Sequence, residues 1–290
     1  MRDQAEKLRM QMLESQGALG RSIAVVSGKG GVGKSNFSAN FATLLAKAGK
    51  KVVIFDMDIG MGNIHILIGK TVQASLTDYL NGDLSLDDAM YEGPNGLQYI
   101  AGGSGMASLV EWSPEMFEKL IVAFEHLQKR FDYIVFDMGA GATSWSLQLL
   151  ISVDDIIVIS TAEPTSIMDA YSMMKYIHLK DTEKEYYLLC NRAFNREEGE
   201  ETLQRLQSAM KRFLHKDVTK LGSLPEDPVV RKAVREQVPF SILYPDAPIS
   251  KTMRNIVLRF INQSSNEVHA ELENKGFIGK LRSIFSKGRD

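Results

Sequence analysis

The chain has 290 residues, of which 44% are hydrophobic and 24% charged, and its formal net charge is −2, which gives no general indication of nucleic-acid binding. Its single cysteine excludes an intrachain disulfide and any iron–sulfur or zinc cluster that needs several cysteines from one chain. No apolar stretch approaches the ~20 residues of a membrane-spanning helix, and the charged N-terminus lacks the apolar core of a signal peptide, so we expect a cytoplasmic protein.

Seven apolar runs predict β-strands, in chain order "SIAVVS", "KVVIFD", "LQYIAG", "DYIVFD", "DIIVIS", "YYLLCN" and "TKLGSLP". Most are continuous rather than alternating, which is typical of strands that are buried on both faces. Helical patterns lie between them. The alternation predicts one α/β domain, at about residues 20–265, with a mostly parallel central sheet flanked by helices on both faces. Residues 1–19 and 266–290 are predicted helical extensions.

The glycine-rich loop "SGKGGVGKS" follows the first predicted strand and precedes a helical segment. It fits the phosphate-binding pattern G-x-x-x-x-G-K-[ST] in the strand–loop–helix context that this pattern requires. Backbone N–H groups and the helix N-terminus favour phosphate, Lys34 would reach the β- and γ-phosphates, and the Ser35 hydroxyl would bind Mg²⁺. The predicted nucleotide-binding residues of this segment are Gly28, Lys29, Gly30, Gly31, Val32, Gly33, Lys34, Ser35 and Asn36.

Lys29 is a second lysine that this loop geometry does not need. With it, the sequence K-G-G-V-G-K-S resembles the deviant Walker A motif of the MinD/ParA family of ATPases. In that family the first lysine crosses a dimer interface and contacts the phosphates bound by the partner subunit. The resemblance implies an ATP-dependent homodimer in which Lys29 is catalytic, because it places positive charge where negative charge develops during phosphoryl transfer.

Two aspartates follow the second predicted strand in "KVVIFDMDIGMGN". The segment resembles the first switch of the same family, D-x-D-x-G-x-x-N. That resemblance implies that Asp58 positions the attacking water and contacts Mg²⁺ indirectly, a role that depends mainly on placement. Asp56, nearer the strand, is expected to help hold the metal shell or the switch.

A further aspartate, Asp137, ends the apolar strand in "FDYIVFDMGAGA". A carboxylate at the carboxyl end of a strand beside a phosphate-binding loop is the Walker B arrangement, which holds the magnesium ion. The segment also resembles the second switch of the family, D-x-x-x-G, and this assigns Asp137 and Gly141 to it. The predicted metal site therefore consists of Ser35, Asp56, Asp58 and Asp137.

Two segments resemble the adenine-contacting segments of the family. Asn191 and Arg192 follow a strand in "LLCNRAF", and Pro225 and Glu226 lie in "LGSLPEDPVV". In the family a side-chain amide and nearby backbone contact the edge of the base. The guanine-binding pattern N-K-x-D does not occur in the sequence, which favours ATP and ADP over GTP.

The C-terminal segment "NKGFIGKLRSIFSKGRD" is basic and amphipathic. Its apolar side chains fall within about 120° of a helical wheel, at Phe277, Ile278, Leu281, Ile284 and Phe285. With Lys280 and Arg282 beside them, this pattern predicts binding to an anionic membrane surface; packing of the same face on the domain is the alternative. The segment resembles the membrane-targeting helix of MinD proteins, and two such helices in one dimer would gain roughly 10²–10⁴ in avidity.

The N-terminal segment matches D-Q-A-x-x-L-R at Asp3, Gln4, Ala5, Leu8 and Arg9. This element resembles that of the flagellar-placement ATPases of the FlhG type, also called YlxH or FleN. In that group it docks on an SRP-type GTPase, FlhF, and stimulates GTP hydrolysis. The resemblance implies FlhF and flagellar basal-body or C-ring proteins as partners.

These observations together predict a slow, Mg²⁺- and dimerisation-dependent ATP hydrolase. It would act as a switch that lies on the inner face of the cell membrane when ATP is bound and that regulates flagellar number or placement. The alternatives are a ParA-like partitioning ATPase, a MinD-type regulator of the division site and a scaffold that senses nucleotide without turnover. A DNA-binding surface needs positive charge and no apolar stripe, so the apolar stripe of the C-terminal helix argues against DNA binding. We therefore expect no specific nucleic-acid partner.

Overall fold

The computed structural model describes residues 19–57, 62–103, 113–139, 144–267 and 276–286, and within these ranges the chain forms an eight-stranded sheet. The strands are β1 (Arg21–Val26), β2 (Val52–Met57), β3 (Met90–Glu92), β4 (Gln98–Ala101), β5 (Tyr133–Met138), β6 (Asp155–Ser160), β7 (Glu185–Ala193) and β8 (Thr219–Pro225). The seven predicted strands are all present, and β3 is the strand that the sequence patterns did not predict.

The strands lie in the order β3-β4-β2-β5-β1-β6-β7-β8. All neighbouring pairs are parallel except β3 and β4, which form an antiparallel edge. From β1 the chain passes to β2, β3 and β4 on one side, returns to β5 beside β1, and then continues through β6, β7 and β8 on the other side, so the strand order reverses at β1. In open parallel sheets ligands bind at the carboxyl ends of the strands at such a reversal, and this is where the glycine-rich loop lies.

Helices cover both faces of the sheet. In chain order they are α1 (Lys34–Lys47), α2 (Ile64–Leu67), α3 (Leu76–Asn81), α4 (Pro114–Arg130), α5 (Ser144–Ser152), α6 (Pro164–His178), α7 (Arg196–Leu214), α8 (Val229–Arg235), α9 (Phe240–Leu243), α10 (Pro248–Glu267) and α11 (Phe277–Ser286). None of the helices in the described residues is both long and apolar enough to cross a bilayer.

Local sequence explains where these helices begin and which face they bury. At the start of α4 the Ser113 hydroxyl accepts a hydrogen bond from the backbone N–H of Met116 at 3.3 Å, and Pro114 occupies the first turn, where its missing N–H costs nothing. The apolar stripe of α4 is buried at Phe117, Leu120, Ile121, Phe124 and Leu127. Helix and strand patterns therefore agree with the layers that they form.

Two hydrophobic cores lie on opposite faces of the sheet. One contains side chains of α1, α2, α9 and α10 together with residues such as Ile23 and Val25 of β1. The other contains side chains of α4, α5, α6, α7 and α11 together with Ala24 of the same strand. Because successive residues of a strand point to opposite faces, β1 contributes to both cores and holds the loop that follows it firmly in place.

The C-terminal helix α11 packs on the domain. Phe277, Ile278 and Leu281 are buried in the second core, and the ring centroid of Phe277 lies 5.5 Å from that of Phe124 and 5.9 Å from that of Phe136. The packing alternative for this apolar face therefore describes the present structure. The side chains of Ile284 and Phe285 lie outside the described residues.

Basic side chains of α11 pair with acidic groups of the same domain. Arg282 lies 2.8 Å from the carboxylate of Glu125 and 3.6 Å from that of Glu118, and Lys280 lies 4.0 Å from Asp181. The two side chains predicted to border a membrane-binding face thus neutralise surface carboxylates when the helix is docked. A membrane-bound form would require α11 to leave both its apolar and its charged partners.

Candidate nucleotide-binding site

The glycine-rich loop connects β1 to α1 at the centre of the carboxyl edge of the sheet. Gly33 precedes α1 with a φ of 91°, in the left-handed region that favours glycine, and a Cβ atom there would lie 2.5 Å from the side-chain nitrogen of Asn191. The first turn of α1 contains no acidic side chain. The partial positive charge of the helix N-terminus is therefore available to an anion, as a phosphate-binding loop requires.

Gly28, at the start of the loop, is required by a close contact with α6. A Cβ atom at Gly28 would lie 2.1 Å from the backbone carbonyl carbon of Asp169, which no side chain can tolerate. The hydroxyl of Ser27 donates to the carbonyl of Lys29 at 2.9 Å, which closes the turn. The first glycine of the motif thus serves helix packing, and the fourth serves the turn into α1.

Lys34 and Asp137 form the buried centre of the site. The ammonium nitrogen of Lys34 lies 3.7 Å from Oδ1 of Asp137, and both side chains are almost fully buried. The hydroxyl of Ser38 donates to the same carboxylate oxygen at 2.7 Å. Ser38 was not predicted as a site residue, although its position four residues after Lys34 places it on the same face of α1.

Asp56 lies opposite Asp137 in the register of β2 and β5. Its Oδ2 accepts a hydrogen bond from the backbone N–H of Ile64 at 3.1 Å, which ties the strand to the first residue of α2. Two carboxylates on adjacent strands, together with the hydroxyl of Ser35, provide the hard oxygen ligands that Mg²⁺ prefers. The residues present therefore fit a magnesium ion beside the phosphates.

Lys29 contacts residues of its own chain across the mouth of the loop. Its ammonium nitrogen lies 2.8 Å from Oε2 of Glu163 and 3.3 Å from the hydroxyl oxygen of Thr165, at the start of α6. Its hydrogen bond and positive charge lower the pKa of the Glu163 carboxyl. Both side chains are largely solvent-exposed, so the pair is weak and easily exchanged for another anionic partner.

The two segments predicted to contact the base lie side by side. The side-chain amide of buried Asn191 donates to the carbonyl of Val32 at 2.8 Å, so it supports the phosphate-binding loop. Arg192 follows with a φ of 56° and is exposed. Pro225 pairs with Ala193 at the ends of β8 and β7, and the N–H of Glu226 donates to the carbonyl of Ala193 at 3.0 Å.

A buried polar link that the sequence patterns did not predict supports the first turn of α1. The amide nitrogen of Asn40 donates to the carbonyl of Asn36 at 2.8 Å, and its Oδ1 accepts from the backbone N–H of Ser241 at 2.9 Å. Asn36, next to Ser35, is therefore held in place by α9, about two hundred residues away along the chain. Only the tertiary structure reveals this connection.

Several predicted residues lie outside the described part of the chain. They are Asp58 and Gly60 of the first switch, Gly141 of the second, and Asp3, Gln4, Ala5, Leu8 and Arg9 of the N-terminal element. Their roles stay predictions. Within the described residues there is no group of three or more His, Cys, Asp or Glu side chains that could hold a metal ion.

Comparison with protein families identifies the scaffold. A family model for ParA, described as NUBPL iron-transfer P-loop NTPase, matches residues 18–261. This chain is a P-loop NTPase of the ParA/MinD family. The eight-stranded sheet and the loop geometry agree with that assignment, and the chain is an ATP-binding P-loop ATPase of the MinD, FleN and YlxH type.

Individual relatives cover most of the chain. The antiactivator FleN of Pseudomonas aeruginosa is 35% identical over 215 residues, which are 74% of this chain and 77% of FleN. The flagellum site-determining protein YlxH of Helicobacter pylori is 33% identical over 81% of this chain and 79% of YlxH. Among solved structures, the septum site-determining protein MinD of Pyrococcus horikoshii in complex with Mg-ADP is 26% identical, with a TM-score of 0.68 over 85% of this chain and 98% of that one.

Proposed function

We propose that the protein is an ATP-dependent dimerising switch ATPase that regulates flagellar number or placement. The observation that carries the proposal is the position of Lys29. This lysine lies at the mouth of the loop, where it makes a weak exposed ion pair with Glu163 instead of facing into its own phosphate site. A charge placed in this way is suited to reach the nucleotide of a second subunit.

Within one subunit, the loop and Lys34 bind the β- and γ-phosphates of ATP, and Ser35, Asp137 and Asp56 hold Mg²⁺. When held by these side chains, Mg²⁺ would supply positive charge that offsets the negative charge developing in phosphoryl transfer. Ser38 keeps the Asp137 carboxylate oriented through its 2.7 Å hydrogen bond. Asp58 positions the attacking water, so hydrolysis depends on placement more than on strong general-base chemistry.

Across the dimer, Lys29 of each subunit exchanges its contact with Glu163 for the phosphates of the partner subunit. There it stabilises transition-state charge in the manner of an arginine finger. Hydrolysis is slow because it waits for this assembly. The resulting ADP state loses the ligand that held the two faces together, and the dimer separates.

Membrane binding uses α11 after it leaves the domain. Docked, the helix hides Phe277, Ile278 and Leu281, while released it presents an apolar face bordered by Lys280 and Arg282 to anionic lipid. One such helix binds weakly, whereas two in an ATP-bound dimer bind together, with a gain of roughly 10²–10⁴ in avidity. ATP thereby controls residence at the membrane.

The flagellar role is supported by the relatives and by the N-terminal element. FleN carries the name antiactivator and YlxH the name flagellum site-determining protein. The five residues of the D-Q-A-x-x-L-R match would bind an SRP-type GTPase such as FlhF and stimulate its hydrolysis. Flagellar basal-body or C-ring proteins would then be placed by a membrane-bound dimer.

The proposal is tested by co-sedimentation with anionic vesicles in ADP and in ATP, for the intact chain and for a chain truncated after Asn274. Sedimentation velocity on the same samples reports the dimer. Dimers in ATP alone, and vesicle binding that needs both ATP and the last helix, are expected. ATP-driven dimers without vesicle binding would overturn the membrane step, and no ATP-driven dimer would overturn the switch.

A further inference from the structure

Phe194 is an exposed aromatic side chain held on a fixed backbone. It is 85% exposed, the highest value among the large apolar side chains that the structure describes. Its backbone N–H donates to the Glu198 carboxylate at 2.6 Å, while the next residue, Asn195, accepts from the N–H of Glu198 at 2.8 Å and caps α7. The backbone that carries the ring is thus fixed, and the exposed aromatic face is open to a planar partner.

The end of β7, which leads to Phe194, contacts the phosphate-binding loop. Asn191 is hydrogen-bonded to the carbonyl of Val32, and the guanidinium of Arg192 lies 4.0 Å from the position that a Cβ atom of Gly33 would occupy. Three residues span at most about 10 Å when extended. Phe194 is therefore within the reach of the nucleoside end of an ATP whose phosphates lie in the loop.

Phe194 lies at the carboxyl edge of the sheet, where the glycine-rich loop also lies. β7 ends at Ala193, directly before Phe194, and the parallel strand β1 ends at Val26, directly before the loop. The carbonyl of Ala193 accepts a hydrogen bond from the N–H of Glu226 at 3.0 Å, which fixes the backbone just before Phe194. The ring and the phosphate-binding loop therefore share the edge at which parallel sheets bind ligands.

We propose that Phe194 stacks on the adenine base of bound ATP. An aromatic face is complementary to a purine ring, which lies against it by stacking without needing a polar partner. The ring of Phe194 would supply affinity by stacking, and nearby polar groups would contact the edge of the base. This inference rests on ATP binding at the glycine-rich loop, and it assigns a residue that holds the base.

The test compares Phe194→Ala with Phe213→Ala, which removes another exposed phenyl ring, 62% exposed at the end of α7. Calorimetric titration with Mg-ATP and with inorganic tripolyphosphate separates the base from the phosphates. We expect Phe194→Ala to weaken Mg-ATP binding at least about fivefold, as base–aromatic stacking predicts, with tripolyphosphate affinity unchanged. Phe213→Ala should match the wild type for both ligands.

A second variant reports stacking directly through tryptophan fluorescence. In Phe194→Trp, Mg-ATP should quench the added indole fluorescence, measured as the difference from the wild-type titration, while tripolyphosphate should not; Phe213→Trp should not respond. Unchanged ATP affinity in Phe194→Ala, or no ATP-specific quenching in Phe194→Trp, would overturn the stacking. A wild-type chain that binds neither ATP nor tripolyphosphate would overturn the nucleotide site itself, which is a different result.

Discussion

Replacing Phe277 by alanine should release α11 from the domain. Phe277 is 1% exposed, and its ring packs against those of Phe124 and Phe136 at centroid distances of 5.5 and 5.9 Å. Removing a buried phenyl ring of this kind costs about 3–5 kcal/mol. Because α11 contributes no strand and contacts α4 and α5, it can detach while the sheet stays folded, as local unfolding permits.

The assay is co-sedimentation with anionic vesicles in ADP, paired with hydrogen exchange of residues 277–286. Phe277→Ala should lose exchange protection in α11. In ADP it should bind vesicles weakly but more than the wild type does, because a single released helix that has lost one apolar side chain lacks the avidity of two helices in a dimer. Phe213→Ala, which removes the same ring from an exposed position, is the control. A loss of about 3–5 kcal/mol from the core would lower the midpoint of global unfolding substantially. We expect a smaller decrease, because α11 detaches before the rest of the domain unfolds.

One result would refute this reasoning. If hydrogen exchange showed α11 released in Phe277→Ala and the variant bound anionic vesicles no better than the wild type in either ADP or ATP, docking would not be what keeps the helix from the membrane. The apolar face of α11 would then serve only the core, where Ile278 and Leu281 are also buried.

Three further perturbations test the site and the domain. Ser38→Ala removes the 2.7 Å hydrogen bond to Asp137; we expect a loss of about 1–3 kcal/mol of stability in chemical denaturation and weaker Mg-ATP binding, and an unchanged Mg-ATP affinity would contradict the orienting role. Glu163→Gln removes the carboxylate that pairs with Lys29; since exposed pairs are weak, ATP-driven dimerisation should strengthen by no more than a few-fold in sedimentation velocity, and weaker dimerisation would show that Glu163 acts in the dimer itself. Burial, aided by the charge of a neighbouring lysine, lowers the pKa of Lys184 from its ordinary value of 10.5 to about 8. Between about pH 8 and pH 10.5 the unfolded chain binds more protons than the folded chain, so this group makes the free energy of unfolding rise with pH. The difference in that free energy between the wild type and Lys184→Met should therefore shift in favour of the wild type by about 2–3 kcal/mol between about pH 7 and pH 10; a constant difference would be contrary evidence.

Much of the fold could be predicted because its signals are local. The continuous Val- and Ile-rich strands β1, β2, β5 and β6 are buried at every position except Arg21 of β1, so hydrophobicity alone indicates them. β3 has three residues, none of them buried, and pairs antiparallel at the sheet edge. It forms a strand because it pairs with β4, and no local sequence pattern encodes that pairing.

Part of the candidate nucleotide-binding site could likewise be predicted from the sequence, and part of it could not. Lys34 and Asp137 could be placed because a glycine-rich loop and an aspartate-ended strand meet at one edge of a parallel sheet. The contact of Lys29 with Glu163 joins residues separated by 134 positions and leaves no trace in spacing or composition. The prediction that the amide of Asn191 contacts the base stays a prediction. Its hydrogen bond to the carbonyl of Val32 is a contact that no sequence pattern indicates, and it gives the buried amide a partner.

The docked state of α11 shows a limit of amphipathic patterns. The same stripe of Phe277, Ile278 and Leu281 satisfies a membrane surface or a protein core, since both reward apolar burial. Sequence could state the two outcomes, and only the packing against Phe124 and Phe136 decides which one this structure contains.

The most direct test of the central claim, that Lys29 acts on the nucleotide of the partner subunit, is ATPase complementation. Lys29→Ala and Asp58→Ala are measured alone and then mixed in equal amounts, with sedimentation velocity to follow mixed dimers. If Lys29 acts across the interface, each mixed dimer regains one intact site, and the mixture should recover up to about a quarter of wild-type activity, as expected for a symmetric two-site dimer. Mixed dimers that form but show only the sum of the two single variants would contradict the account.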